Sequence, residues 1–434
     1  MDRRDFLKKG LAGAGAVAVA SSLRGIDAVA AERAGTPLEA SDWIKEPARR
    51  LAVVDTADVV VVGGGPAGFA AAVAAARHGS DVILLERQYF LGGLFTGCGV
   101  TPIINMFSPR ENGIREQVVF GICQELCDRL DASGMMNLEG VIPKADPEAA
   151  KYFMEEIIRD SGVRMLYGVN VSQVLMSGNR IDAVIVEGKS GRVAIKTKFV
   201  VDCSGDGDVL EWTGEDFNVY KDDIGAMWRV GNAFKKACGN PTPVRGVYTR
   251  HTVGEREQDG LDMYNLTRVQ LTLRKRMWED AIELRKNTGN DELFLLDTPS
   301  VVGVRVTRVL NSVANVMASD AAGGKVYDDV IGLAGTDSVL TVGGVSHYPK
   351  TRPAWQVPYR ALLPKTVDNL LVAGRCFGFE RPLTYDAREV GTCFMTGQAA
   401  GTAASLCSSG RSSNREVDVR KLQSLLKRDN VRLA

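Results

Sequence analysis

Three glycines within six residues, Gly63-x-Gly65-x-x-Gly68, stand between an apolar run and an alanine-rich run. Residues of this type at this spacing do one kind of chemistry well, which is to hold a pyrophosphate. The first allows a tight turn, the second leaves room for phosphate oxygens beside the backbone, and the third lets strand and helix pack closely. A helix starting there offers free N–H groups and the positive end of its dipole, worth about 0.3–1 kcal/mol to a nearby anion. Glu86, about twenty residues further on at the tip of a second apolar run, is placed to accept hydrogen bonds from ribose hydroxyls. The plainer alternative is a structural turn and a surface glutamate, with four elements in register by chance.

A second group of residues could handle an organic substrate. Arg305, Arg308 and Arg388 are candidates for an anion clamp, because guanidinium is always charged and grips carboxylates with two parallel hydrogen bonds. Each could equally be a surface or phosphate-contacting arginine. His347 is the candidate for proton transfer, since imidazole titrates near neutral pH; its plainer reading is an ordinary loop histidine. His78 and His251 read as structural. With only three histidines, no C-x-x-C and no H-E-x-x-H, no zinc or other metal site is expected. Eight cysteines occur, and Cys98, flanked by glycine, is the one held open as redox-active.

The elements that must position these groups follow from the pattern of apolar residues. Asp58 to Val62 reads as a buried parallel strand, Phe69 to His78 as a helix ended by Gly79, and Asp81 to Leu85 as a second strand. Helices are expected over 117–130, 147–160, 268–286 and 391–406. Strands are expected over 164–174, 181–187, 193–198, 199–202 and 369–373, with turns at Gly178-Asn179 and 189–191. The sequence predicts an α/β fold: a Rossmann-type FAD/NAD(P)-binding domain, with an inserted α+β substrate domain. The discontinuous cofactor domain takes 55–210 and 365–410, the insertion takes 211–364, and 411–434 forms a C-terminal tail.

The first thirty residues read as an export leader. Arg3-Arg4 precedes Asp5-Phe6-Leu7-Lys8, then an apolar run from Leu11 to Ala20 and the small-residue motif Ala28-Val29-Ala30. The run covers half of the roughly 20 residues a bilayer span needs. This arrangement resembles a twin-arginine signal, which implies handling by the twin-arginine export machinery. The expected location is periplasmic or otherwise extracytoplasmic, with no membrane span in the mature chain. The 53 basic and 53 acidic side chains balance, so nothing argues electrostatically for a nucleic-acid partner.

The glycine pattern does not distinguish FAD from NAD; a resemblance does. Glu86-Arg87 through Gly92-Gly93-Leu94-Phe95-Thr96 resembles the flavin-contacting stretch of glutathione-reductase-type flavoproteins, and Gly205-Asp206-Gly207-Asp208 resembles their internal Gly-Asp motif. With Val357-Pro358-Tyr359-Arg360, Asn369 to Cys376, Arg388 and Gly397-Gln398-Ala399-Ala400-Gly401, the chain is similar to the bacterial FAD-dependent oxidoreductases, relatives of the fumarate-reductase and succinate-dehydrogenase flavoproteins. The resemblance implies FAD contacts at Gly63, Gly65, Pro66, Ala67, Gly68, Glu86, Arg87, Gly93, Thr96, Val171, Gly205, Asp206, Gly374, Arg375 and Gly397. It implies an oxidoreductase acting on a small organic, possibly anionic molecule, with an electron-transfer partner as a further expectation. A non-catalytic flavin carrier is the alternative. The family's Gly-Ile-Arg-Glu-Thr-Arg pattern is met by Gly303-Val304-Arg305-Val306-Thr307-Arg308, with Val306 in place of the acid. Arg381 and Thr384 stand where histidines are usual.

Overall fold

The computed structural model describes residues 44–434 apart from 111, 113, 138–141, 255 and 411. The leader, with Arg3, Arg4 and the motif at 28–30, lies outside the described residues. The chain opens as its glycines require: strand β1 (Val53–Val62), helix α1 (Pro66–Arg77) and strand β2 (Val82–Glu86). Gly65 is extended at the helix N-cap and Pro66 takes the first turn, where its missing N–H costs nothing. Odd-numbered Val59 and Val61 face one hydrophobic cluster and even-numbered Val60 and Val62 the other. Both faces of the strand are covered, which is why its sequence is an unbroken apolar run rather than an alternation.

After α2 (Pro147–Asp160) come β3 (Arg164–Tyr167), β4 (Asn170–Ser177), β5 (Arg180–Gly188) and β6 (Gly191–Asp202). The expected 164–174 strand is thus two strands, broken at Gly168, whose φ of +67° only glycine adopts freely. The two strands expected over 193–202 are one. Strands β3, β2, β1 and β6 run parallel in that order, and β4, β5 and β6 form an antiparallel meander.

The inserted part carries its own four-stranded sheet: β7 (Gly225–Gly231), β8 (Asn240–Pro241), β9 (Tyr248–Val253) and β10 (Phe294–Asp297), in the order β8-β9-β7-β10. The long helix α3 (Met263–Thr288) crosses it, capped by the Asp262 side chain. Its buried residues Val269, Leu273, Met277, Ala281 and Leu284 fall at helical spacing and share a separate cluster with Trp228 and Val230. That separate core ends near Val304. Val306, Val309, Ile331 and Trp355 lie instead in the same cluster as Phe69 and Phe394. The unit with an independent core is therefore shorter than the expected 211–364.

The chain then returns to the first sheet with β11 (Leu370–Val372), which pairs parallel with the end of β6 along the edge that β5 occupies at its start. Buried Asn369 sits at that fork, giving to and accepting from Ile181 (2.8 Å each) and donating to the Lys198 carbonyl (3.0 Å). Helix α4 (Val390–Gly410) lies so close along α1 that a Cβ at Gly397 or Gly401 would overlap the carbonyls of Ala67 or Ala71. The expected tail is part of this core, since helix α5 (Val419–Arg428) buries Leu422 and Leu426.

An ion cluster joins the two parts, with Arg229 and Asp146 buried and Asp297 partly exposed. Arg229 on β7 gives Nη1 to Asp146 at 2.8 Å and Nε to Asp297 at 2.8 Å. The other Asp146 oxygen caps α2, accepting from Glu148 and Ala149 N–H at 3.0 Å. A single carboxylate thus starts a cofactor-domain helix and anchors the inserted sheet.

Candidate active site

A cavity of about 700 Å³ opens where β1, β6 and β11 end, lined by their following turns: Gly63 and Gly65, Cys203 to Asp206, and Gly374 with Arg375. Ligands collect at the carboxyl ends of parallel strands for this topological reason. Gly63 has φ of +95°, and a Cβ there would press on the Cys203 carbonyl. A Cβ on Gly68 would overlap the Gly63 carbonyl. Gly65 differs: its backbone is in an ordinary extended conformation and its Cβ would meet nothing within 4 Å. The space a side chain would take is open cavity.

Around this loop the polar groups are held in advance. Glu86, 6% exposed, accepts the Gly64 N–H at Oε2 and the Gln88 N–H at Oε1, both at 2.7 Å. Asp206 meets Arg375 at 2.6 Å and the Thr307 hydroxyl at 2.8 Å, with Arg87 at 4.0 Å. Burial raises the proton affinity of Asp206, but Arg375, Thr307 and Arg87 outweigh it and hold the carboxyl below its ordinary value. Asp208 goes the other way, pushed up to about 7 by burial and then by the charges of Asp206 and Asp202, against Arg87 and Arg308. Arg375 Nη1 is buried without a protein partner. An open cradle at Gly65, an orphaned guanidinium N–H and a fixed carboxylate fit the two phosphates and ribose of a dinucleotide.

The far end of the cavity is reached along α4. Arg388 and Glu389, just before the helix, line it together with Val390, the helix's first residue, about 10 Å along the axis from the Gly397 contact with Ala67. The guanidinium carbons of Arg388 and Arg305 lie 5.4 and 5.9 Å from the ring centroid of Tyr385, within cation–π reach. Arg305 faces Asp222 at 3.7 Å and Asp223 at 3.6 Å, and Arg381 meets Asp222 at 3.4 Å. The Tyr385 hydroxyl donates to Asp222 at 3.4 Å. His251 belongs to this group: burial first, then the charges of Arg305 and Arg388, hold its imidazole below the usual range. Read from sequence as structural, it carries no local signal of its role, because β9 brings it in from a remote segment.

The structure sorts the expected site residues. Gly63, Gly65, Pro66, Ala67, Glu86, Arg87, Gly93, Gly205, Asp206, Gly374, Arg375 and Arg388 line the cavity. Val171, on β4, lines a small adjoining pocket with Glu86, Ser204 and Asp208. Gly68 acts through packing against Gly63. Two placements correct the expectation: Thr96 spends its hydroxyl on the Leu91 carbonyl inside its own turn, and Gly397 is consumed by the α1–α4 crossing. Neither lines the cavity, and the expected clamp residue Arg305 is likewise off its wall, reaching it only as a neighbour of Arg388 around Tyr385. Arg308 does, but is tied to Asp208, Glu211 and the Asp206 carbonyl. His347 is a further correction. It pairs with Leu340 in a two-stranded hairpin turned by Gly343-Gly344, away from the cavity lining. Cys98 is fully buried, and burial pushes its thiol up to about 12, which removes the reactive thiolate. All eight cysteines are free, and no metal-binding cluster occurs among the described residues.

Residues 58–230 and 227–426 match the family described as FAD dependent oxidoreductase. A menaquinone reductase of Mycobacterium tuberculosis is 32% identical over 145 residues, which is 30% of this chain and 33% of that protein. A urocanate reductase of Eggerthella lenta is 34% identical over 107 residues, 23% of this chain and 18% of that one. The chain spans about a third or less of these relatives' length. A solved geranylgeranyl bacteriochlorophyll reductase-like protein from Thermoplasma acidophilum aligns with 87% of this chain and 84% of its own, at 13% identity and a TM-score of 0.45.

Proposed function

The chain belongs to the FAD dependent oxidoreductase family and is an oxidoreductase that uses FAD, and we propose that it oxidises or reduces a small anionic organic molecule outside the cytoplasm. FAD, when bound, supplies the hydride chemistry. The protein's own groups bind and orient. The loop from Gly63 to Ala67, Glu86 and Arg375 would hold the cofactor's phosphates and ribose. Arg388, with Arg305 beside it, would hold the substrate's anion.

The observation that carries this reading is the convergence of two guanidiniums, from segments far apart in the chain, on the one ring of Tyr385, with Arg388 on the cavity wall. Contact with the ring holds both guanidiniums in one place, and their N–H groups are the donors a carboxylate needs. Urocanate, in the name of one relative, is such a carboxylate. A neutral quinone is the second reading, favoured by the aliphatic wall that Leu261, Leu266, Val301, Val302 and Val304 give the cavity. In either case a second redox partner completes the cycle.

Screening FAD-loaded protein against small organic acids and quinones, followed by kinetics of Arg305→Ala and Arg388→Ala, decides between them. An anion clamp loses tenfold to a hundredfold in kcat/KM, matching about 1.5–3 kcal/mol for a charge-assisted hydrogen bond, with FAD content unchanged. Lysine should rescue only in part. Unchanged efficiency in both variants would remove the clamp, and loss of FAD would reassign these arginines to the cofactor. Export through the twin-arginine route is supported by Arg3-Arg4; changing both to lysine should leave unprocessed precursor in the cytoplasm. Equal mature protein from both versions would reject that route.

A further inference from the structure

When a flavin takes a hydride, the substrate's second hydrogen leaves as a proton, and a protein group must receive it. The cavity wall leaves few candidates. Glu86 has both oxygens engaged by backbone N–H groups, and Asp206 is locked on Arg375 and Thr307. The arginines keep their protons. The Cys393 thiol is pushed up to about 12 by burial, and Cys203 is likewise raised by burial. Asp208 stands at the phosphate-loop end, where its backbone N–H donates to the Ser204 hydroxyl and its carboxylate accepts from Arg308 at 3.4 Å. Glu389 stands at the other end, beside the arginine that faces the cavity.

We propose that Glu389 takes the substrate's proton on oxidation and returns it on reduction, an inference that rests on reading this cavity as the flavin and substrate site. In the oxidising direction one C–H bond breaks with its electron pair passing to the flavin. A second bond to hydrogen breaks with its pair forming the new π bond of the product, and the proton adds to a Glu389 carboxylate oxygen. Reduction runs the same steps backwards, so electrons and protons balance without a further reactant.

Three features fit Glu389 to this task. Its side chain is 8% exposed and meets Arg388 at 3.2 Å through one oxygen. Unlike Glu86, it accepts no backbone N–H among the described residues. Behind it lies a desolvated layer of charge. Asp386 pairs with the fully buried Arg352, and Asp337 pairs with Arg115 at 2.6 Å. Asp386 Oδ1 and Arg352 Nε and Nη1 have no partner in the protein. Burial, chiefly, sets the Glu389 carboxyl above the ordinary glutamate range; Arg388 and Arg305 oppose the shift, while Asp386 and Asp337 reinforce it. A carboxyl balanced between these charges changes protonation when charge appears beside it.

The test uses FAD-loaded protein and the flavin's own charge as the probe. Photoreduction in weakly buffered solution with a pH indicator counts protons taken up per flavin. Wild type should take up more protons per flavin than Glu389→Gln near neutral pH, because negative charge on a reduced flavin held in this cavity would favour the protonated carboxyl. Equal uptake overturns the proposal. Infrared difference spectra of the wild type alone provide a readout that does not depend on the variant's folding. Reduction should produce a protonated-carboxyl band that shifts in deuterated water, and its absence overturns the proposal too. Failure of the anion clamp would appear elsewhere, in the kinetics of the Arg305 and Arg388 variants, with this proton signal intact.

Discussion

The two ends of the cavity are built on different principles. At the phosphate-loop end the work is done by backbone: a left-handed Gly63, an open Gly65 and N–H groups that Glu86 holds in place. At the far end it is done by side chains: Arg388 is on the wall, and Arg305, Tyr385, Asp222 and His251 gather around it from several segments. A backbone site tolerates almost no substitution at its glycines and needs few particular side chains. A side-chain site can be retuned residue by residue, so one cofactor loop can serve many substrates. The expected His347 lies off the cavity lining, while Gly63, Gly65, Gly93, Gly205 and Gly374 are on it.

The largest contrast should come from the loop itself. Gly65→Val places its side chain in open cavity on backbone that valine accepts, so the unfolding midpoint of the cofactor-free protein should hold. FAD affinity should fall tenfold or more, at least ~1.4 kcal/mol. Gly68→Ala drives a methyl into the Gly63 carbonyl and should lose fold and FAD together. Flavin fluorescence and thermal unfolding on both variants check this; a Gly65→Val protein with stoichiometric FAD would show that the phosphates bind elsewhere.

The joint between the cofactor domain and the inserted sheet comes next. Arg229→Ala strands the buried Asp146 carboxylate, and breaking a buried pair costs about 3–5 kcal/mol. Urea unfolding should show that loss, with Arg229→Lys recovering part of it. A change under 1 kcal/mol (about the level of an exposed pair) would mean that the two parts are held by packing alone.

The smallest effect is a slope. Asp208 has a folded-state value of about 7 against 3.8 unfolded, so the folded protein binds the extra proton between those values. Its contribution to stability is present below pH 3.8 and is lost as pH rises through about 7. Unfolding midpoints from pH 4 to 8 should fall less steeply in Asp208→Asn than in wild type. Identical slopes would show that the ion pair with Arg308 keeps Asp208 charged throughout.

Much of the fold was legible because its signals are local. Strand β1, the glycine turn, α1 and β2 occupy one short stretch, and each glycine's task is set by its immediate neighbours. The family resemblance then fixed FAD, which the glycine spacing alone left open. Element boundaries were less legible: β6 looked like two strands because its first half pairs with β5 and its second with β11, partners that no local pattern names. The shorter independent core of the inserted part was hidden likewise, since Val306 to Trp355 are as apolar as any insert and only packing assigns them to α1 and α4. The family resemblance implied Thr96 and Gly397 as cofactor contacts; a five-residue turn and a helix crossing use them instead. Sequence determined the phosphate loop, because backbone conformation is set within a few residues. Only tertiary structure gathers Arg305, Arg388, His251 and Glu389, because the charges and burial around each are supplied by segments distant in the chain.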